Sequence, residues 1–311
     1  MEIHTNTHSI TIIAAVIIIC VATEIPSLAV TVPDLLVSSY GSRSILRYDG
    51  YTGDFVERFD KGDGLYQPRR MVFGPDGNLY VSDEMSILRY DGHTGAFIGV
   101  FSVASSPSGL IFGSDGDLYV SWYSGDRVVH YDGNTGKFLG TFARGGGLSA
   151  PDGLVFGPDG DLYVCSIGTD SVLRYDGTTG AFVGTFASGG GLSMPRDLVF
   201  GPDDNLYVSS QFTHSVLRYN GATGAFIDRF AFGGGLNGPF GLTFGPNGNL
   251  YVASSETDKI LRYDGVSGAF IDTFASGGGL DFPTDLTFVP EPATFLLLGL
   301  GGFALLRKRR A

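Results

Sequence analysis

One unit of about 44 residues recurs six times along the chain, and a recurrence of that length restricts the fold more than any other property of the sequence. The segment Arg-Tyr-Asp-Gly stands at 47–50, 89–92, 174–177 and 262–265, with His in first place at 130–133 and Asn in third place at 218–221. Its tyrosines, Tyr48, Tyr90, Tyr131, Tyr175, Tyr219 and Tyr263, are 42, 41, 44, 44 and 44 residues apart. A second marker of the Phe-Gly-Pro-Asp-Gly type begins at Phe73, Phe112, Phe156, Phe200 and Phe244, and its degenerate sixth copy is Phe288-Val289-Pro290. Six copies fill residues 34–288 and leave no room for a second domain. Forty-eight glycines and 14 prolines among 311 residues, with 15 Tyr and 24 Phe, describe short aromatic strands joined by many turns and exclude a helical bundle. At 43% hydrophobic and 17% charged, the chain is too apolar for intrinsic disorder. A net charge of −12 argues against nucleic acid as a partner, because phosphate binding needs a basic surface.

Each copy divides into four apolar or alternating runs, as in Leu198-Val199-Phe200, Leu206-Tyr207-Val208, Val216-Leu217-Arg218-Tyr219 and Ala225-Phe226-Ile227. Asp-Gly and Asn-Gly between the runs supply the positive φ angles that tight hairpins require. Four strands per period predict an all-β chain, a single six-bladed β-propeller with four antiparallel strands per blade. The repeat region opens at Leu35-Leu36-Val37-Ser38-Ser39, which corresponds to Leu206-Tyr207-Val208-Ser209-Ser210 and is a second strand without a first. The missing innermost strand is found at residues 283–288, so the C-terminal strand is expected to complete the N-terminal blade and remove an open sheet edge. The pattern resembles NHL repeats and their virginiamycin B lyase-like relatives, over about 255 residues. The resemblance implies that the Pro-x-Gly-Leu segment is innermost and Leu-Tyr-Val the next strand out.

The two ends read as addresses. Residues 10–22 form an apolar run followed by Ser27-Leu28-Ala29, with small residues at the −3 and −1 positions of a signal peptidase site, so residues 1–29 are expected to be an export signal. The segment before the run carries His4 and His8 but no Lys or Arg, and an uncleaved anchor is the alternative. Removal of the signal leaves Cys165 as the single cysteine, which excludes an intramolecular disulfide. At the other end Pro290-Glu291-Pro292 precedes an apolar stretch over 293–306 and then Arg307, Lys308, Arg309 and Arg310. This order of parts resembles the PEP-CTERM sorting signal of Gram-negative bacteria. The resemblance implies recognition by an exosortase, transient membrane anchoring through the C-terminal helix, cleavage near Pro290-Glu291-Pro292, and delivery to the outer surface or extracellular matrix.

The copies differ where function is expected. Turns between the first and second and the third and fourth strands are nearly constant; the second-to-third loops and blade-to-blade connections diverge and should converge on one mouth of the central channel. There the sequence places Arg69, Trp122, Tyr123, Asp152, Arg196, Phe212, His214 and Phe240 as candidate ligand-binding residues. Aromatic groups interleaved with both signs of charge suit a polar ligand with stackable faces, carbohydrate first among them. Drift of duplicated loops is the competing explanation for their variety. Catalytic residues, a metal site and a cofactor are not expected. His214 with Asp170 or Asp258 offers only the start of a ligand set, and Gly-Gly-Gly-Leu at 145, 189, 233 and 277 lacks the strand-then-helix setting of a phosphate loop. The chain is therefore read as an exported surface or matrix propeller that binds exopolysaccharide or envelope proteins without chemistry. A metal-dependent lyase or lactonase on the same scaffold is the alternative.

Overall fold

The computed structural model describes residues 32–62 and 64–290. The export signal over 1–29, the apolar stretch over 293–306, and the sorting residues Glu291 and Pro292 lie outside these residues. Among the described residues no helix is long and apolar enough to cross a membrane.

Six four-stranded antiparallel sheets form the blades of a propeller. Blade 4 shows the unit: inner strand Pro151–Phe156, second strand Leu162–Ser166, third strand Ser171–Tyr175 and outer strand Phe182–Ser188. Blade 1 is assembled from both ends of the repeat region, as the sequence predicts. Its inner strand Pro283–Phe288 pairs with Leu35–Ser39, matching Phe288 to Leu35 and Leu286 to Val37, and the Val289 N–H donates to the Asp34 carbonyl at 2.8 Å.

The repeated markers now have physical reasons. In Tyr-Asp-Gly-Thr-Thr-Gly, the Asp176 carboxylate accepts the N–H groups of Thr178 and Thr179 and the Thr179 hydroxyl, at 3.1, 2.7 and 2.7 Å, and so fixes the third-to-outer turn. Asp49, Asp91, Asp132, Asn220 and Asp264 do the same in the other blades. These hydrogen bonds, the one from the Thr179 hydroxyl foremost, hold the Asp176 carboxyl below the usual carboxylate range.

The core lies between blades rather than within them. Tyr163, on the second strand of blade 4, stands edge-on between Phe186 of its own outer strand and Phe200 of the next inner strand, with centroids 4.7 and 5.2 Å away. Its hydroxyl donates to Asp159 in the Gly-Pro-Asp-Gly turn at 2.9 Å, so one side chain ties together two blades and a turn. Each such ring pair contributes about 0.5–1.5 kcal/mol beyond the area it buries. The second tyrosine column reaches backwards: the Tyr175 hydroxyl donates to the Gly145 carbonyl in the connection leaving blade 3, at 2.9 Å. Glycine is required in that connection. Gly145, Gly146 and Gly147 all have φ between 65° and 87°, and a Cβ on Gly146 would stand 2.2 Å from the Phe182 ring.

Ring closure is the step that makes this packing continuous, because Leu35, Val37, Leu46 and Tyr48 of blade 1 share one buried cluster with Tyr251, Ile260 and Phe274 of blade 6. A chain ending before Pro283 is expected to lose cooperative unfolding or to aggregate, as followed by circular dichroism and light scattering. A truncated chain that melts like the intact one would contradict this.

Candidate binding mouth

Every inner strand enters the hub as proline, two variable residues and Leu or Met. In blade 4, Pro151 faces Ser166 and Leu154 faces Val164, so three steps on the inner strand oppose two on its partner. This is a β-bulge, repeated in blades 3, 5 and 6, and it turns both intervening residues toward the axis. Going round from blade 1, the first position holds Thr284, Arg69, Ser108, Asp152, Arg196 and Phe240. The second position holds Asp285, Arg70, Gly109, Gly153, Asp197 and Gly241.

The axis is closed by one side chain that the sequence reading did not single out. Arg70 is almost wholly buried and reaches Asp152 at 3.4 Å, Asp197 at 3.2 Å and Asp285 at 3.5 Å, carboxylates from three other blades. It also donates to the carbonyls of Thr284 and Arg196 at 3.1 and 2.8 Å. Six side chains do not fit at this waist, and three positions are glycine for that reason. A Cβ on Gly153 would stand 2.5 Å from the Asp197 carboxylate, and one on Gly241 2.7 Å from the Asp285 Cα.

Buried Asp152 and Asp285 and half-buried Asp197 surround the Arg70 guanidinium, with Arg196 and Arg69 also acting on Asp152, and burial set against these charges decides the protonation. Burial raises the Asp285 carboxyl to about 7 against the pull of Arg70, with nearby Asp197 adding to the rise. Burial likewise raises Asp197. At Asp152 burial is outweighed: Arg70, Arg196, the Ser108 hydroxyl 2.6 Å away and, more weakly, Arg69 hold it below the usual range. Cys165 lies close enough to feel Asp197 and Asp152, and its thiol is pushed well up, by burial first, which keeps it protonated and unreactive.

Above this floor opens a cavity of about 340 Å³. Of the candidate residues, Arg69, Tyr123, Asp152, Arg196 and Phe240 line it; Tyr40, Gln211, Phe282, Arg70, Ser108 and Thr284 complete the wall. Phe240, Phe282 and Tyr40 form a row of edge-on rings with centroids 5.5 and 6.0 Å apart. Arg196 lies over Phe240 at 4.5 Å and is held by Gln211 at 2.6 Å and Asp152 at 3.4 Å.

Three candidates lie elsewhere. Trp122 ends its strand half-buried, with the Arg127 guanidinium 5.0 Å from its ring. Phe212 is 64% exposed on a short 3-10 turn, Gln211–Thr213, whose first residue Gln211 faces the cavity. His214 takes a left-handed backbone, φ 50°, and its Nδ1 accepts the Gly238 N–H at 3.1 Å. Asp126, Asp170 and Asp258 occupy the same place in other blades and accept from Ala150, Met194 and Phe282 at 2.7–2.8 Å. All four therefore latch a loop to the next blade, fixing the residue that precedes its inner-strand proline. Among the described residues no group of three or more His, Cys, Asp or Glu is arranged to hold a metal ion, and at the hub the place between the carboxylates is taken by the Arg70 guanidinium.

Residues 288–310 match the PEP-CTERM protein-sorting motif. That motif marks the chain for export and membrane-associated sorting and is recognised by exosortase. No curated protein matches the sequence. Solved structures share the fold. The nidogen/laminin complex aligns at TM-score 0.65 and 20% identity, covering 83% of this chain and 98% of that one. A protein of unknown function from Bacteroides caccae aligns at 0.67 and 15%, covering 83% and 100%. An inactive virginiamycin B lyase from Staphylococcus aureus with quinupristin aligns at 0.60 and 16%, covering 84% and 90%. Virginiamycin B lyase-like propellers are thus among its structural neighbours.

The hub charges set a pH dependence. A carboxyl raised in the folded state binds its proton more tightly there than in the unfolded chain, so it weakens the fold as pH climbs from the unfolded pKa to the folded one. Unfolding free energy is therefore expected to fall by roughly 2–4 kcal/mol between about pH 4 and pH 7, measured by denaturant titration. Asp285→Asn should flatten that slope. Arg70→Met, which leaves three carboxylates facing one another, should cost about 3–5 kcal/mol at pH 7 and less at pH 4. An unaltered slope in Asp285→Asn would show that the hub does not titrate in this range.

Proposed function

We propose that this exported propeller is a non-enzymatic binding module, and that the mouth above Arg70 takes polysaccharide or an envelope protein at the cell surface or in the extracellular matrix. The observation that carries the reading is the convergence of four aromatic residues and three arginines, from blades 1, 2, 3, 5 and 6, on one concave site. Such a wall offers stacking surfaces and hydrogen-bond donors for a polar ligand. The buried ionic floor beneath it holds the wall in place and supplies neither a free base nor an activated nucleophile: Asp152 is ion-paired, Asp285 is buried against Arg70 and the Met71 N–H, and the Cys165 thiol stays protonated. His214, the histidine a lyase-like reading would enlist, has its Nδ1 engaged by Gly238.

Retention of the protein on envelope polysaccharide arrays is expected to fall at least tenfold in Phe240→Ala and Arg196→Ala. Thr178→Ala, in a constant turn on the opposite face, should change nothing. Loss of retention in the constant-face variant alone would place the site elsewhere. A metal-dependent lyase would instead show a lower melting temperature with chelator and turnover of an unsaturating or lactone substrate. For the address, mass spectrometry of the native exported protein should find no peptide beyond about Pro292. An intact basic end, Arg307 to Ala311, on soluble extracellular protein would contradict removal of the tail.

A further inference from the structure

One arginine of the mouth makes no side-chain hydrogen bond or close ion pair among the described residues. Arg196 is engaged by Gln211 and Asp152, and Arg70 by three carboxylates and two carbonyls. The half-buried Arg69 guanidinium, by contrast, has no ion pair or hydrogen bond among the described residues; its near neighbour is the Tyr40 ring at 6.0 Å. Its backbone is fixed on both sides, the N–H by the Ser82 carbonyl at 2.9 Å and the carbonyl by the Ser38 hydroxyl at 2.9 Å, so the side chain starts from a rigid base.

Arg70 and Arg196 are held by direct contacts to Asp152, Asp197, Asp285 and Gln211, whereas Arg69 acts on Asp152 only from beyond ion-pair distance. Its donors are thus left for the cavity it lines, in a molecule whose net charge is −12. A guanidinium presents its donors as a planar fork that matches a carboxylate with two parallel hydrogen bonds. Beside it, the row of Tyr40, Phe282 and Phe240 offers apolar surface to the carbon face of a sugar ring. A cavity of about 340 Å³ is at the small end of ligand sites, and the overall negative charge repels a long polyanion.

Resting on the reading of this mouth as a glycan site, we infer that it recognises a single carboxylate-bearing sugar unit, a uronic acid at a chain end or side branch, with Arg69 holding the carboxylate. Calorimetric titration of the full chain with a glucuronic acid-terminated disaccharide and its glucose-terminated counterpart, at pH 7, tests this. The acid is expected to bind at least tenfold more tightly than the neutral sugar, and Arg69→Gln should abolish the difference. Arg69→Lys should keep part of it, since the charge remains and the fork is lost. Because the guanidinium makes no hydrogen bond or close ion pair within the protein, both variants should melt close to the parent. Equal binding of the two sugars would overturn the inference and leave the glycan reading standing. Binding of neither sugar, with retention of polysaccharide on the arrays still sensitive to Phe240→Ala, would overturn it in favour of a different ligand class. A preference for the acid that survives in Arg69→Gln would remove Arg69 from the site.

Discussion

A blade of this protein cannot bury its own face, and the remainder of the structure follows from that constraint. The second-strand tyrosines answer it in five of the blades: each ring is clamped edge-on between a phenylalanine of its own outer strand and one of the next inner strand, as at Tyr207 between Phe230 and Phe244, 4.8 and 5.0 Å away. Because one of the two contacts of each ring crosses to the next blade, no blade is complete alone and the ring must close. The Gly-Pro-Asp-Gly turns serve the same contact, since their aspartates accept the tyrosine hydroxyls. The aspartate that recurs in these turns is thus a hydrogen-bond acceptor for a buried phenol.

Repetition that builds the walls is a difficulty at the axis. Six equivalent side chains would collide at the hub or repel one another, and the chain resolves this by abandoning symmetry in the second variable position. Glycine in three blades makes space for two aspartates, and a lone arginine fills the centre. The hub is therefore a plug rather than a pore, and its cost in buried charge is limited by pairing and by proton uptake. The cavity above inherits its rigidity, because Asp152 belongs both to the plug and, through Arg196, to the wall.

The architecture was legible because its signals are local and periodic: turn residues that fix backbone angles, aromatic columns at a constant spacing, and a missing first strand at one end matched by a surplus one at the other. The mouth was legible in part. Residues directly after the inner-strand prolines could be placed by counting, and they line the cavity. Phe212 and Gln211 could not be told apart that way, since which of the two faces inward is decided by a 3-10 turn of three residues. His214 had a signal that chemistry obscured: it stands in a column otherwise occupied by Asp126, Asp170 and Asp258, and a histidine nitrogen can do the work of a carboxylate oxygen as a hydrogen-bond acceptor. Arg70 was hidden because Pro68-Arg69-Arg70-Met71 departs from Pro-x-Gly-Leu, and its importance rests on partners 82 to 215 residues away that only the closed ring assembles.

The closing strand also fixes a mechanical polarity. It starts at Pro283 beside the cavity and ends at Phe288 on the opposite face, where Val289 is bonded to Asp34 and the sorting motif begins. Both ends of the ring leave from that face. Tension applied to the chain beyond Val289 therefore runs along the closing strand. Load in that direction shears its hydrogen bonds to Leu35–Ser39 together instead of peeling them singly, so the joint that completes the fold is also the one placed to bear the pull.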